Sequence, residues 1–372
     1  MRIAQVDVFP AKLPYKQDFK ISRGSVGSKA QGAPHIYVRV QADNGLEGWG
    51  EARPSHRWSY ETEETVITTL QNYLAPAVMG RDPWDLQGLH EVMGREIAPC
   101  VTTGQPVAKS AIDIAVHDLL AKASGVPLAR FLGGGGRSVR LARIITTDDP
   151  GQAEQMAAQA MQDGYAGFKV KIGLEPGRDI EIVRAVIAGS RPDMFVWADS
   201  NQAYDLSHSI RLARALESLE VDVLEQPMPA NDLSGLAELR RATSIPIAVD
   251  ESVFSPRDLI QVIRLRAADW LVMKICKVGG LWPARRCIHI AQEAGMTVLG
   301  SGLTESAVGF AANVHLMASI ASVLPADFNG PQFIADEPTQ TLMHCDVGQA
   351  TIADTPGHGA SLNLSRLPDF QP

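Results

Sequence analysis

Eight short apolar runs, separated by amphipathic helical segments, constrain the fold of this chain more than any other feature. They begin near residue 138 and read LARIITT, FKVKIG, FVWADSN, VDVLEQP, IPIAVDES, WLVMKICK, MTVLGSG and PADFNGP. The segments between them, among them DIEIVRAVIAG, SHSIRLARALESL and SPRDLIQVIRL, carry apolar residues at helical spacing. Eight strand–helix units in succession predict an α/β chain built on a parallel (β/α)8 barrel, not an open sheet. The repetition is architectural, with no identical sequence repeat. Buried parallel strands are normally apolar throughout. These instead finish in ionisable groups: Lys169 and Lys171, Asp199, Glu225, Asp250 and Lys274. From Lys171 the steps are 28, 26, 25 and 24 residues, about one strand–helix unit each. All six therefore fall at C-terminal strand ends, which in a barrel converge on the mouth where active sites lie. One charged residue after a strand is commonly a helix cap or a solvated turn; six at barrel period are not explained that way.

The chain ahead of the barrel follows another pattern. IAQVDVF alternates like a half-buried strand, and HIYVRVQ followed by ADNGLEGWGEA reads as strand, Asn-Gly turn and strand. Residues 61–125 turn helical. AKSAIDIAVHDLLAKASG places Ala111, Ile114, Ala115, Leu119 and Ala123 at helical spacing, with Gly125 as a stop. Strands followed by helices predict a separate α+β domain over residues 1–125. The barrel then spans 126–330, and 331–372 is expected to be an irregular tail packing back on the first domain. Two loops stand out in this stretch. Residues 15–34, rich in Lys, Ser and Gly, form a long loop of the lid type. The second, 53–60, reads RPSHRWSY. The Gly133–Gly136 run lacks a phosphate-binding frame and reads as a linker.

Composition removes several function classes. With 34 basic against 42 acidic residues the chain carries a formal charge of −8, so nucleic acid is not an expected partner. No apolar run approaches the ~18 residues of a membrane span, and the N-terminus shows no signal-peptide pattern. Cys100, Cys276, Cys287 and Cys345 fit neither a zinc nor a disulfide spacing, so reduced thiols and a cytoplasmic location are expected.

The ionisable groups sort into a chemistry. Asp199, Glu225 and Asp250 on three adjacent strands would repel one another and take up protons without a counter-ion. A hard divalent cation resolves the conflict, and oxygen donors favour Mg2+, with Mn2+ as a substitute. Lys169 and Lys171 share a strand face, so each should depress the other's pKa, and Lys274 approaches from the opposite wall. Base, metal and base suit removal of a proton α to a carboxylate, and two bases on opposite faces permit its return with inversion. A salt-bridge network without catalysis and a Schiff-base aldolase are the competing readings.

Lys-x-Lys (169 and 171), Asp-x-Asn (Asp199, Asn201), Glu-Gln-Pro (225–227), Asp-Glu-Ser (250–252) and Lys274 in MKICKVGG resemble the enolase superfamily, and within it the muconate-lactonizing-enzyme subgroup. NGLEGWGEA, AKSAIDIAVHDLLAKASGVPL and the following FLGG are similar to that family's capping domain and first barrel segment. The mandelate racemase subgroup would place a His with an Asp partner where this chain has Lys274. The resemblance implies a modified (β/α)8 barrel with an α+β capping domain. It implies Lys171 and Lys274 as acid/base residues, Lys169 as an electrostatic one, and Asp199, Glu225 and Asp250 as ligands of Mg2+. The implied reaction is α-proton abstraction through a metal-stabilised enediolate from a small carboxylate substrate, in a homo-oligomeric isomerase. Racemisation or epimerisation of an amino-acid derivative or dipeptide is the leading expectation. Muconate-type cycloisomerisation and acid dehydration are the alternatives.

Substrate-contacting candidates come from both loops and from the last strands. The first loop offers Tyr15, Phe19 and Arg23; the second offers Arg53, His56, Arg57, Trp58 and Tyr60. Of these, Arg23, Trp58 and Tyr60 are taken as binding residues, together with Asn201, Glu305, Asp327 and Asn329. Glu305 in GSGLTES resembles a Glu that follows a Gly-rich turn in muconate cycloisomerases. Asp327-Phe328-Asn329-Gly330-Pro331 stands where dipeptide epimerases of the subgroup carry Asp-x-Asp-Gly-Pro, whose two aspartates hold a substrate ammonium. Asn329 departs from that pattern.

Overall fold

The computed structural model describes residues 1–370 except 101 and 347. Seven parallel strands form one sheet in sequence order: Ala142–Ile145, Gly167–Lys171, Phe195–Asp199, Val223–Glu225, Ile247–Val249, Trp270–Met273 and Thr297–Gly300. They are barrel strands one to seven below. The eighth position is held by two residues. Ala326 bridges Leu141, and Asp327 bridges Ser301, both in parallel. Ala326 N donates to Arg140 O and Asp327 N to Gly300 O, each at 2.8 Å, so the barrel closes around this point. PADFNGP reads as a full strand from composition, but Pro325 has no N–H and the short helix Gly330–Phe333 begins directly afterwards.

Strand alternation builds the interior in layers. Phe195, Trp197, Val223, Ala248, Val272 and Leu299 form a separate apolar cluster, with the rings of Phe195 and Trp270 stacked 6.1 Å apart. Two residues further along strands three and four, on the same face, come Asp199 and Glu225. A polar layer therefore rests directly on an apolar floor.

The N-terminal domain is an antiparallel sheet, Ile3–Leu13, Ala33–Ala42 and Glu47–Ala52, covered by the helix Pro106–Ala123. In the sequence that helix shows apolar residues at helical spacing. It is buried almost all round, because it lies between the sheet and the barrel. Its Asp113 accepts hydrogen bonds from Leu281 N and Trp282 N, capping the barrel helix Leu281–Glu293. Gly48 and Gly50 let the sheet approach: a Cβ at Gly50 would stand 1.9 Å from Ala111 O, and one at Gly48 2.0 Å from Ala115 O.

Two segments differ from the sequence reading. Residues 15–34 contain a small hairpin, Phe19–Ile21 paired with Gly24–Gly27. It is fastened over the mouth by Ser22 Oγ donating to Asn201 O (3.0 Å) and Thr146 Oγ1 to Lys20 O (2.9 Å). Strands of three and four residues, broken by glycine, leave no readable alternation. After residue 330 the chain is not irregular either. His344–Asp346 and Gln349–Thr351 pair and extend onto Ser138–Arg140, while Thr339–Thr341 pairs with Ala360–Leu362. Lys16 N donates to Phe333 O (2.7 Å), and His358 Nε2 lies 2.8 Å from Trp49 O. No helix among the described residues is long and apolar enough to cross a membrane.

Gly50→Ala should lower the thermal unfolding midpoint by several degrees, in line with the ~1–3 kcal/mol typical of overpacking. Gly94→Ala, whose new Cβ meets nothing within 4 Å on the helix Leu86–Glu96, should leave the midpoint unchanged or raise it. A Gly50→Ala protein as heat-stable as its parent would refute the tight sheet–helix contact.

Candidate functional site

The ends of strands two to six carry a compact layer of opposed charges. Lys169, fully buried on strand two, reaches Glu225 Oε2 at 2.8 Å, Asp199 Oδ2 at 3.1 Å and Asp327 Oδ2 at 3.2 Å. Its ammonium stands 4.1 Å above the Trp197 ring centroid, so the apolar floor contributes a cation–π contact. Lys171, two residues on, reaches the same Asp199 Oδ2 at 2.5 Å and donates to Asn201 Oδ1 at 3.1 Å. Lys274, just past strand six, pairs with Asp250 Oδ2 and lies 5.2 Å from the Trp58 ring centroid. The six residues singled out at strand ends are thus brought together.

The loops that follow the strands hold these groups in place. Gln226, of the Glu-Gln-Pro run, accepts from Asp250 N (2.9 Å) and Ser252 N (3.2 Å) and donates to Met228 O (3.1 Å). It therefore ties the end of strand four to the end of strand five. Asn201 Nδ2 donates to the buried Glu251 at 3.1 Å. Lys277 donates to Asp250 Oδ1 at 2.7 Å from full burial. Sequence reasoning passed over Gln226, Glu251 and Lys277 as participants. Their signal was present in the motifs, where each adjoins or closely follows a strand-end charge.

Burial and neighbouring charge pull these groups apart. Burial favours a neutral Asp199, but the Lys169 and Lys171 ammoniums outweigh it and hold the acid down at about 2. Glu225 is pushed up to about 8 by burial and by the Asp199 charge. Glu251 rises to about 7 through burial beside Asp250. Burial would lower Lys169, yet Asp199, Glu225 and Asp327 raise it well above the usual lysine range. Lys274 is raised as well, by Asp250 against burial. The expected depression of the Lys169 pKa by Lys171 is therefore reversed, because the surrounding carboxylates outnumber the neighbouring ammonium.

A small cavity opens above this layer, lined by Lys169, Lys171, Lys274, Asp327 and Asn329 from the barrel and by Phe19, Ile21, Val26, Arg53, Ser55 and Trp58 from the N-terminal domain. Trp58, Asp327 and Asn329 thus reach the cavity itself. Arg23 and Tyr60 line a wider, more open recess beside it, which shares Trp58 and includes Glu251 and Phe254. Asn201 is buried between Lys171 and Glu251. Glu305 does not line the cavity: its carboxylate folds back onto Leu303 N at 2.8 Å. Phe19, offered by the first loop, lines the cavity as well, together with Ile21, Val26 and Leu303, whose apolar character gave no chemical signal.

Among the described residues, no group of three or more His, Cys, Asp or Glu side chains is arranged to hold a metal ion as it stands, since lysine ammoniums take up the oxygens of Asp199 and Asp250. The donor set nevertheless fits a hard divalent cation. Three carboxylates converge, and neither buried oxygen of Glu225 receives a well-angled hydrogen bond, although Lys169 is near.

The chain matches two family models, "Mandelate racemase / muconate lactonizing enzyme, N-terminal domain" over residues 3–133 and "Enolase C-terminal domain-like" over residues 152–366. An N-succinyl-L-Arg/Lys racemase of Bacillus cereus is 30% identical, with 100% of this chain and 98% of that protein covered. Its crystal structure superposes with a TM-score of 0.93 over 100% of this chain and 98% of that one, at 29% identity. A dipeptide epimerase of Enterococcus faecalis, solved with Mg and the dipeptide L-Leu-L-Tyr, gives a TM-score of 0.91 at 27% identity, covering 97% of this chain and 100% of the other. A chloromuconate cycloisomerase of Pseudomonas putida is 27% identical, covering 100% of this chain and 99% of that protein.

Glu305 supplies a test of the buried charge at the mouth. Burial pushes it up from 4.5 to about 7, so between those values the folded chain holds a proton that the unfolded chain has released. The stability so gained is lost as pH rises through about 7. Glu305→Gln should unfold at the same temperature as the parent near pH 4.5 and at a higher one at pH 8, a difference on the order of 3 kcal/mol. A pH-independent offset between the two would rule this out.

Proposed function

Because the chain belongs to the mandelate racemase/muconate lactonizing enzyme family of the enolase superfamily, we propose that it removes and returns the proton α to a substrate carboxylate, racemising or epimerising an amino-acid derivative. It is an isomerase of that superfamily. The observation that carries the proposed reaction is that Lys171 and Lys274, from strands two and six, line one cavity.

In this reading the substrate lies between the two lysines. One takes the α-proton in its neutral form; the other, as an ammonium, delivers a proton to the opposite face and inverts the centre. Lys169 holds fixed positive charge beside the reacting carboxylate. Asp199, Glu225 and Asp250 would hold Mg2+, or Mn2+ in its place, and the ion supplies positive charge that offsets the negative charge developing on the substrate carboxylate. Phe19 and Trp58 close the cavity from the N-terminal domain and keep water from the α-carbon.

The cavity favours an N-acylated amino acid over a dipeptide with a free ammonium. Asp327, the one carboxylate among the lining groups, is engaged by Lys169 and by Asn329 Nδ2 at 3.0 Å. Asn329 Oδ1 is buried without a partner, an acceptor suited to an amide N–H. The N-succinyl amino-acid racemase among the relatives supports the same class. Cycloisomerisation of a muconate-type diacid is the second reading. It is favoured by the excess of cations at the cavity, where Arg53 joins the lysines.

The enzyme, incubated with Mg2+ in D2O, should give a +1 mass shift with N-acyl amino acids and a weaker one with free dipeptides. Lys171→Ala and Lys274→Ala should each slow interconversion by ~10²–10⁴-fold, and chelation should stop it. Lactone formation from muconates without exchange at the α-carbon would establish the second reading instead.

A further inference from the structure

Lys277 is fully buried, absent from the cavity lining, and idle in the reaction proposed above. It sits on the single turn Ile275–Val278, three residues after Lys274. Its ammonium faces three acceptors: Asp250 O at 2.6 Å, Asp250 Oδ1 at 2.7 Å and Val272 O at 2.7 Å. Three donors meet three acceptors, so the group is saturated and has no proton free for substrate. Its contacts span the end of strand five, at Asp250, and strand six, at Val272.

The two oxygens of Asp250 are thereby divided. Oδ1 is held by Lys277, and Oδ2 faces Lys274. The backbone of Asp250 is held separately, by Gln226 Oε1 on its N–H. We propose that Lys277 is a positioning residue for the metal site: it locks the Asp250 carboxylate so that Oδ2 alone is presented to the barrel axis, and sets where Lys274 stands opposite it. The inference rests on the reading of Asp250 as a metal ligand. Groups that orient a ligand's free atom typically alter metal affinity by ~10–100-fold when removed. Arginine is not an equivalent, since its planar fork cannot converge on the three acceptors that an ammonium reaches.

The test is Mn2+ binding to the substrate-free full-length protein, read by electron paramagnetic resonance of free Mn2+, with circular dichroism and thermal unfolding recorded on the same samples. Lys277→Met should bind Mn2+ ~10–100-fold more weakly. Lys277→Arg, which retains the charge, should weaken binding by at least ~3-fold at an unchanged fold. Lys29→Met, at an exposed lysine of the N-terminal domain, controls for loss of charge and should bind as the parent does. Should Lys277→Met not fold, the arginine variant decides alone. Parental Mn2+ affinity in every folded Lys277 variant would overturn the proposal and leave the residue a purely structural one. If the parent itself takes up no Mn2+, the metal reading of Asp199, Glu225 and Asp250 fails, and this inference fails with it.

Discussion

The barrel mouth depends on charge compensation among groups that water does not reach. Buried ions are tolerated only when each meets opposite charge at close range with its hydrogen bonds satisfied. Here Lys169 meets three carboxylates, Asp199 meets two lysines and Asp250 meets two. Glu225 is the exception, with Lys169 near but no well-angled hydrogen bond on either oxygen. Removing any one partner would strand several others. The layer therefore behaves as a unit, and the apolar cluster beneath it, with Trp197 under Lys169, leaves the charges no route to water from below.

The cavity exists only while the N-terminal domain stays seated, and buried or half-buried acids on helix ends secure it. Asp113 caps the barrel helix Leu281–Glu293. Glu51, from the strand Glu47–Ala52, accepts from Ser306 N at 2.9 Å and Gly309 N at 2.7 Å, at the start of the barrel helix Ala307–Ser319. Glu337, from the C-terminal segment, takes Ala307 N on the same helix at 2.8 Å. Each places negative charge on the positive end of a helix dipole, where burial strengthens the attraction. These contacts fix the register in which Trp58 and Phe19 overhang Lys274 and Lys171.

Much of this was legible in the chain because barrels turn sequence period into spatial convergence. Lys171, Asp199, Glu225, Asp250 and Lys274 recur once per strand–helix unit, so counting residues sufficed to gather them. What period could not carry was lateral detail. Gln226 and Lys277 act across neighbouring strands, and their partners follow from loop geometry, not spacing. The hairpin Phe19–Ile21/Gly24–Gly27 is too short for alternation to show. Glu305 reads as a cavity residue, yet its carboxylate turns back to Leu303 N, a choice made by the local turn. The direction of the Lys169 pKa was misjudged for a related reason: counting ammoniums on one strand neglects the carboxylates arriving from neighbouring strands.

The backbone at the mouth bears a strain consistent with this use. Among the described residues, Gln105, Glu220, Arg266 and Ala321 are non-glycine residues with positive φ that lie at or just beyond helix ends. Left-handed conformations are common at helix C-termini, as at the last three. The other four, Asn201, Gln202, Gln226 and Thr304, sit in the loops after strands three, four and seven. At these positions the chain must leave the strand abruptly to keep Asp199 and Glu225 pointing inward while pairing with its neighbour. Ser200 N reaches Glu225 O at 3.1 Å, Gln202 N reaches Gln226 O at 2.7 Å, and Gln226 N reaches Ala248 O at 2.9 Å. Each such residue costs ~1–3 kcal/mol and persists only where surrounding bonds over-determine it. The Gln226 bracket and the Asn201–Glu251 bond are bonds of that kind. The mouth is therefore rigid because strained turns are cross-tied between strands, and the spacing of Lys171 and Lys274 inherits that rigidity.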